Sequence, residues 1–255
     1  MDDRLIELSK KILGGDYEQE RFCKGKENEF EELANLLKSK NKRCILLFGI
    51  NPAGNEDSNC KFYYEYVSNE KMRKSLNKTN TTNNKYFKPN YELFDSSQIS
   101  MKWIFRNRED LNNDFNDFDE DYYNEELKKK FVLIFCDLIY YHDTDMNNIR
   151  NKICKVHDNK IEEIRELNIK EELKQGIKDM IDKHIEIFDP ALIVVTNSFA
   201  SQLICGSLFS GRVYSQKEYK QINILFSGSA SGGNMDIFSK ERLKNDIANE
   251  MKKIK

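Results

Sequence analysis

Gly49-Ile50-Asn51-Pro52-Ala53-Gly54 is the densest chemical signal in the chain, with two of its eleven glycines and one of its three prolines in six positions. Proline fixes φ and glycine permits close backbone approach, so this segment reads as a stiff loop open to a ligand. Such a loop would hold the Asn51 amide, one acceptor and two donors, toward whatever binds beside it. The same residues also suit an ordinary strand-to-helix turn in which Asn51 caps its own backbone. A second signal comes much later, in Ser227-Gly228-Ser229-Ala230-Ser231-Gly232-Gly233-Asn234. Small side chains leave backbone N–H groups exposed, and such a loop can wrap a phosphate or reach into a groove. It can equally be a plain connector, and with no Gly-Lys-Ser/Thr following it is not a P-loop. Asp137 ends an apolar run between Cys136 and Leu138, where a carboxylate must be paired, hydrogen-bonded or near water.

Other chemistries find little support. His142, His157 and His184 are scattered and form neither a nucleophile triad nor a metal set. The hydrolase elbow G-x-S-x-G is absent, since Ser229 lies in SGSASGG. Six cysteines (Cys23, Cys44, Cys60, Cys136, Cys154, Cys205) are spread with no CxxC pair, as in a reduced cytoplasmic protein that binds no metal. No cofactor is expected. The charge is 41 basic against 43 acidic residues, net −2, which excludes a binder driven by bulk positive charge but leaves room for a small basic or amide-lined groove. No apolar stretch approaches a membrane span, and Met1-Asp2-Asp3-Arg4 does not begin a signal peptide.

The elements that must position these loops are four short, nearly continuous apolar runs: 43–49, 131–138, 191–196 and 222–227. Continuous rather than alternating apolarity predicts strands buried on both faces. Helical patterns separate them. Phe30, Leu33, Ala34 and Leu37 mark one helix. Leu173, Ile177, Met180, Ile181, His184 and Ile185 mark another, ended by Phe188-Asp189-Pro190. A short helix from Phe199 to Cys205 closes at Gly206 after the Thr196-Asn197-Ser198 cap cluster, and the last runs from Ser239, its N-cap, to Lys252. Strands spaced by helices predict one α/β domain over 1–255, a parallel sheet with helices on both sides. The Asn-, Lys- and Tyr-rich stretch 55–124 reads as a long insertion after the first strand, or as a separate lid-like subdomain, and is expected to cover or border the cleft because it leaves that strand at its carboxyl end.

Taken together, a first strand ending in GINP and a small-residue loop before the last helix resemble the uracil-DNA glycosylase superfamily, in its branch with a G-[IM]-N-P-G first motif. Gly49-Ile50-Asn51-Pro52 matches that motif, with Ala53 inserted before Gly54. Ser227 to Ser231 occupies the place of the second motif, and Asp189-Pro190-Ala191 to Val195 looks like the family's third-strand start. The resemblance covers about residues 30–254 in outline, and only GINP is sharp. It implies a three-layer α/β/α fold with a four-stranded parallel sheet in the order 2-1-3-4. It also implies removal of a damaged or mismatched base from DNA after the nucleotide is flipped out of the stack.

In this likeness Asn51 and Ser227 take the catalytic positions, Asn51 holding a water under the anomeric carbon. Gly49, Ile50, Pro52 and Gly54 shape the substrate pocket, Phe62, Tyr63 or Tyr64 stacks on the base, and Asp137 falls where an amide reads the base edge. Gly228, Ser229, Ser231 and Gly232 would touch the DNA backbone. Two positions depart from the pattern. Ser227 replaces a His or Asn, and losing such a donor costs on the order of a hundredfold in rate. An ionised Asp137 would repel uracil O4 and suit an amino edge instead. A non-catalytic nucleotide- or nucleic-acid-binding module on the same fold, and an unrelated small-molecule α/β enzyme, are the competing readings.

Overall fold

Each of the four apolar runs is a strand, and their mutual pairing explains why they are apolar on both faces. In the computed structural model, which describes residues 3–15, 17–22, 34–35, 38–39, 41, 43–50, 93, 131–143, 145–213, 215–229 and 235–254, they are β1 (Arg43–Gly49), β2 (Phe131–Asp137), β3 (Pro190–Val195) and, after a short β4 (Gln216–Tyr219), β5 (Ile222–Phe226). The sheet order is β2-β1-β3-β5-β4, parallel except for the β4–β5 hairpin. Leu46, Phe48, Ile134, Cys136, Ile193, Val195, Ile224 and Phe226 enter one buried cluster. The alternate residues Ile45, Leu47, Leu192, Val194 and Leu225 enter the other.

The larger cluster is capped by α1 (Asp3–Leu13), α2 (Met146–Val156), α3 (Ile161–Arg165), α4 (Glu171–Phe188) and α5 (Ser198–Leu208). Opposite, α6 (Ile237–Lys253) supplies Leu243, Ile247 and Met251, joined by buried Leu93 from the stretch expected to be an insertion. Helices therefore cover both faces of the sheet.

Several expectations need correction. Among the described residues the sheet has five strands rather than four, is mixed rather than wholly parallel, and runs β2-β1-β3-β5-β4 in place of the expected order 2-1-3-4. The fifth, Gln-Lys-Glu-Tyr, has no apolar alternation because it is a half-exposed edge, and polar side chains suit an edge that must not recruit another chain. Its turn, Lys220-Gln221, has φ of 50° and 66° at the two positions, the left-handed pair of a type I′ hairpin without the usual Asn or Gly. The last helix begins at Ile237, not Ser239. Asp236 is the N-cap, accepting from the Ser239 N–H at 2.9 Å and the Ser239 hydroxyl at 2.6 Å, and a carboxylate also suits the positive end of the helix. Gly206 does not close α5, which runs on to Leu208. It is a packing glycine: a Cβ there would lie 2.5 Å from Ile169 Cδ1. Of the helix expected near 30–37, Ala34 and Asn35 are helical, and the other marking residues lie outside the described ones.

Gly14 ends α1 in the left-handed region (φ 61°), its N–H donating to Lys10 O at 2.8 Å. A Cβ there would stand 2.0 Å from Val156 Cγ1 on α2. Gly14→Ala therefore combines backbone strain with a collision against a stiff β-branched side chain, and we expect it to lower unfolding free energy by about 1–3 kcal/mol in urea titration. Unchanged stability would show that α1 and α2 separate freely.

Candidate functional site

Parallel strands in register bring their carboxyl ends to one line. Gly49 pairs with Asp137, Phe48 with Val195, and Val195 with Phe226. One residue further, the Thr196 N–H donates to Phe48 O at 3.1 Å and the Ser227 N–H to Val195 O at 2.9 Å. Asp137, Gly49, Thr196 and Ser227 thus form a row across β2, β1, β3 and β5. Their predecessors Cys136, Phe48, Val195 and Phe226 all face the larger cluster. Strand alternation sends the row itself to the α6 face. The helix that follows β3 starts at this same edge, capped by Asn197 directly after Thr196.

Of the residues singled out from sequence, Gly49, Ile50, Asp137, Ser227, Gly228 and Ser229 are described; Asn51, Pro52, Gly54, Phe62, Tyr63, Tyr64, Ser231 and Gly232 lie outside the described residues. Ile50 is buried, and its carbonyl accepts from the Ile139 N–H at 2.9 Å, so β1 and β2 stay paired up to the residue before Asn51. The two loops that carry the strongest sequence signals leave the same edge, from β1 and β5, with only β3 between them. Two strand spacings, about 10 Å, separate their starting points.

Ser227 is turned inward. Its hydroxyl has Val195 O at 3.0 Å and Gly228 O at 3.1 Å as acceptors for its single proton, and its carbonyl accepts from Ser201 Oγ at 2.8 Å. What it offers outward is lone-pair acceptance rather than donation. Asp137 keeps some surface, yet burial pushes its carboxyl up to about 7, with no cation among the described residues to hold the charge. Near neutral pH it therefore exists as both donor and acceptor. A neutral Asp137 lacks the repulsion toward a uracil carbonyl that the resemblance implies for its ionised form.

Two features escaped sequence reading. Thr196, grouped by sequence with the helix cap, does not cap: Asn197 accepts the Phe199 and Ala200 N–H groups at 2.9 and 3.0 Å. Thr196 is 1% exposed and its Oγ1 has no hydrogen-bond partner. A buried hydroxyl left unpaired costs about 1–3 kcal/mol. The other is a pair of exposed apolar side chains at the start of α6, Ile237 (57%) and Phe238 (86%), immediately after the small-residue loop. No periodicity distinguishes them from core residues of that helix.

Behind the row, residues 138–143 are buried against α1, α4 and the segment 18–22. The Tyr140 N–H donates to Ser9 Oγ at 2.9 Å, and Ser9 Oγ donates to Leu5 O at 2.9 Å. Tyr140 Oη lies 2.5 Å from His184 Nε2, while His184 Nδ1 lies 2.7 Å from Met180 O. A carbonyl only accepts, so Nδ1 carries the proton and Nε2 accepts from the phenol. His184 is a core histidine, stacked on Tyr140 and edge-on to Phe48. Cys44, Cys136 and Cys205 are buried free thiols that burial holds protonated. Among the described residues no cluster of His, Cys, Asp and Glu could hold a metal, and no helix is long and apolar enough to cross a membrane.

No family model and no curated protein matches the chain.

The Asp137 carboxyl fixes a pH dependence. Below about pH 4 it is protonated in both folded and unfolded chains; as pH rises to about 7 only the unfolded chain ionises it, so folding loses stability through that window. We expect Asp137→Asn to remove this slope, leaving the variant more stable than the parent at pH 8, by on the order of 2–4 kcal/mol, and similar at pH 4. Urea denaturation at the two pH values reads it, and an identical slope in parent and variant would contradict it.

Proposed function

We propose that the carboxyl edge of the sheet holds a nucleobase and that the protein is a divergent DNA glycosylase, hydrolysing the N-glycosidic bond of a flipped, damaged or mismatched base. The observation that carries this reading is the common edge from which the GINP loop and the Ser-Gly loop depart. In an open parallel sheet that edge is where ligands bind. Asn51, one residue past Ile50, is the group to position an attacking water. Asp137, in the register position beside Gly49, reads the base. As a neutral acid it donates to a carbonyl such as uracil O4 or hypoxanthine O6, and as a carboxylate it accepts from an amino group.

Ile237 and Phe238 add support from another direction. Exposed apolar side chains at the start of the helix that follows the small-residue loop are the kind that fill the gap a flipped base leaves in a duplex. Ser227 favours a second reading. Its proton is engaged by backbone carbonyls, so a donor for the departing base must come from elsewhere, and a protein that binds the base without releasing it fits that observation.

Base release from oligonucleotides carrying uracil, hypoxanthine or a mismatch, single-stranded and duplex, decides between them. Glycosylase action predicts release by the parent and at least a hundredfold loss in Asn51→Ala. Binding that survives in this variant, with no release from any substrate by the parent, would establish the non-catalytic reading. A companion variant, Phe238→Ala, is expected to weaken action on or binding to duplex by about tenfold while sparing single strands. Equal loss on both would remove the gap-filling role.

A further inference from the structure

We infer that Thr196 is a ligand-contacting residue at this edge of the sheet, its hydroxyl forming a hydrogen bond to the edge of a nucleobase laid over Gly49. The inference rests on the nucleobase reading above and adds to it a residue on β3. Three observations meet here. Thr196 continues β3 by one residue, fixed by its N–H bond to Phe48 O, so it stands in the row with Asp137, Gly49 and Ser227. Its Oγ1 is buried and unpartnered, although Asn197 next to it is doubly bonded and Ser201 nearby has found the Ser227 carbonyl. Gly49, between Asp137 and Thr196, places no side chain on the α6 face. The two polar groups flank that gap from strands on either side of β1, about 10 Å apart backbone to backbone, which suits a heterocyclic ring between two hydrogen-bonding side chains.

A hydroxyl can donate or accept, so Thr196 matches either a ring carbonyl or a ring N–H. Its lack of a protein partner is the condition expected of a group whose partner arrives with the ligand, and of the buried atoms without a hydrogen-bond partner among the described residues it is the one on the strand-end row.

Thr196→Val keeps the shape and removes the hydroxyl; Thr196→Ser keeps the hydroxyl. The readouts are the melting temperature of the free protein and the Kd for single-stranded oligonucleotides carrying one uracil or one hypoxanthine. We expect Thr196→Val to melt at or above the parent, because an unpaired buried hydroxyl has been replaced by an apolar group, yet to bind about tenfold more weakly. Thr196→Ser should bind within about threefold of the parent. Equal Kd for parent and Thr196→Val would overturn the inference while leaving the nucleobase reading intact. A clear drop in melting temperature in Thr196→Val would overturn it too, by showing that the hydroxyl serves the fold. A parent that binds neither oligonucleotide would instead sink the nucleobase reading, and the inference with it.

Discussion

The in-register parallel ladder through β2, β1, β3 and β5 is the constraint on which the rest depends. The described side chains of β1, β3 and β5 are spent on two cores, one on each face, and only the carboxyl ends are left for chemistry. Pairing of Gly49 with Asp137 and of Phe48 with Val195 fixes those ends to within a residue. A slip of one position would exchange Asp137 for Cys136 on the α6 face and bury the carboxylate in the larger core. The apolar pattern that forbids this slip therefore sets the polar row as well.

The row is backed by a rigid wall rather than a solvated loop. Residues 138–143 leave β2 and at once enter a polar network inside the core, with every described bond carrying a definite direction. Ser9 accepts from one residue and donates to another, and His184 does the same between Tyr140 and Met180. Satisfied buried polar groups of this kind specify one arrangement more sharply than apolar contacts alone. Tyr141 is held in the same way, accepting from the Glu18 N–H at 3.3 Å and ring-stacked edge-on with Phe22. Asp137, immediately before this wall, inherits its fixed position.

Much of the fold was legible because burial writes itself into composition. The runs RCILLFG, FVLIFCD, PALIVV and INILF announce two-sided burial, and the strong apolar stripe of 173–185 announces α4. The hairpin was not legible, since QKEY carries no alternation and Lys-Gln is an unusual pair for left-handed backbone. The helices at 3–13 and 146–156 were not predicted, although their buried residues recur at helical spacing: Leu5, Ser9, Ile12 and Leu13 in one, Ile149 and Ile153 in the other. At the site, sequence pointed to the loops that leave β1 and β5 and to Asp137. It could not point to Thr196, because an unsatisfied hydroxyl is a property of its surroundings and not of its neighbours in the chain. Nor could it foresee that the Ser227 proton is directed to backbone carbonyls.

The bond between Tyr140 and Ser9 gives the amino-terminal helix a reach beyond its own packing. α1 is the first described element and lies against α4, yet through one serine it holds the backbone three residues past Asp137. Tags, fusions or truncations placed at the start of the chain would consequently act as remote perturbations of the binding edge. A preparation lacking the first turns could retain its sheet and still lose the alignment of its acidic side chain.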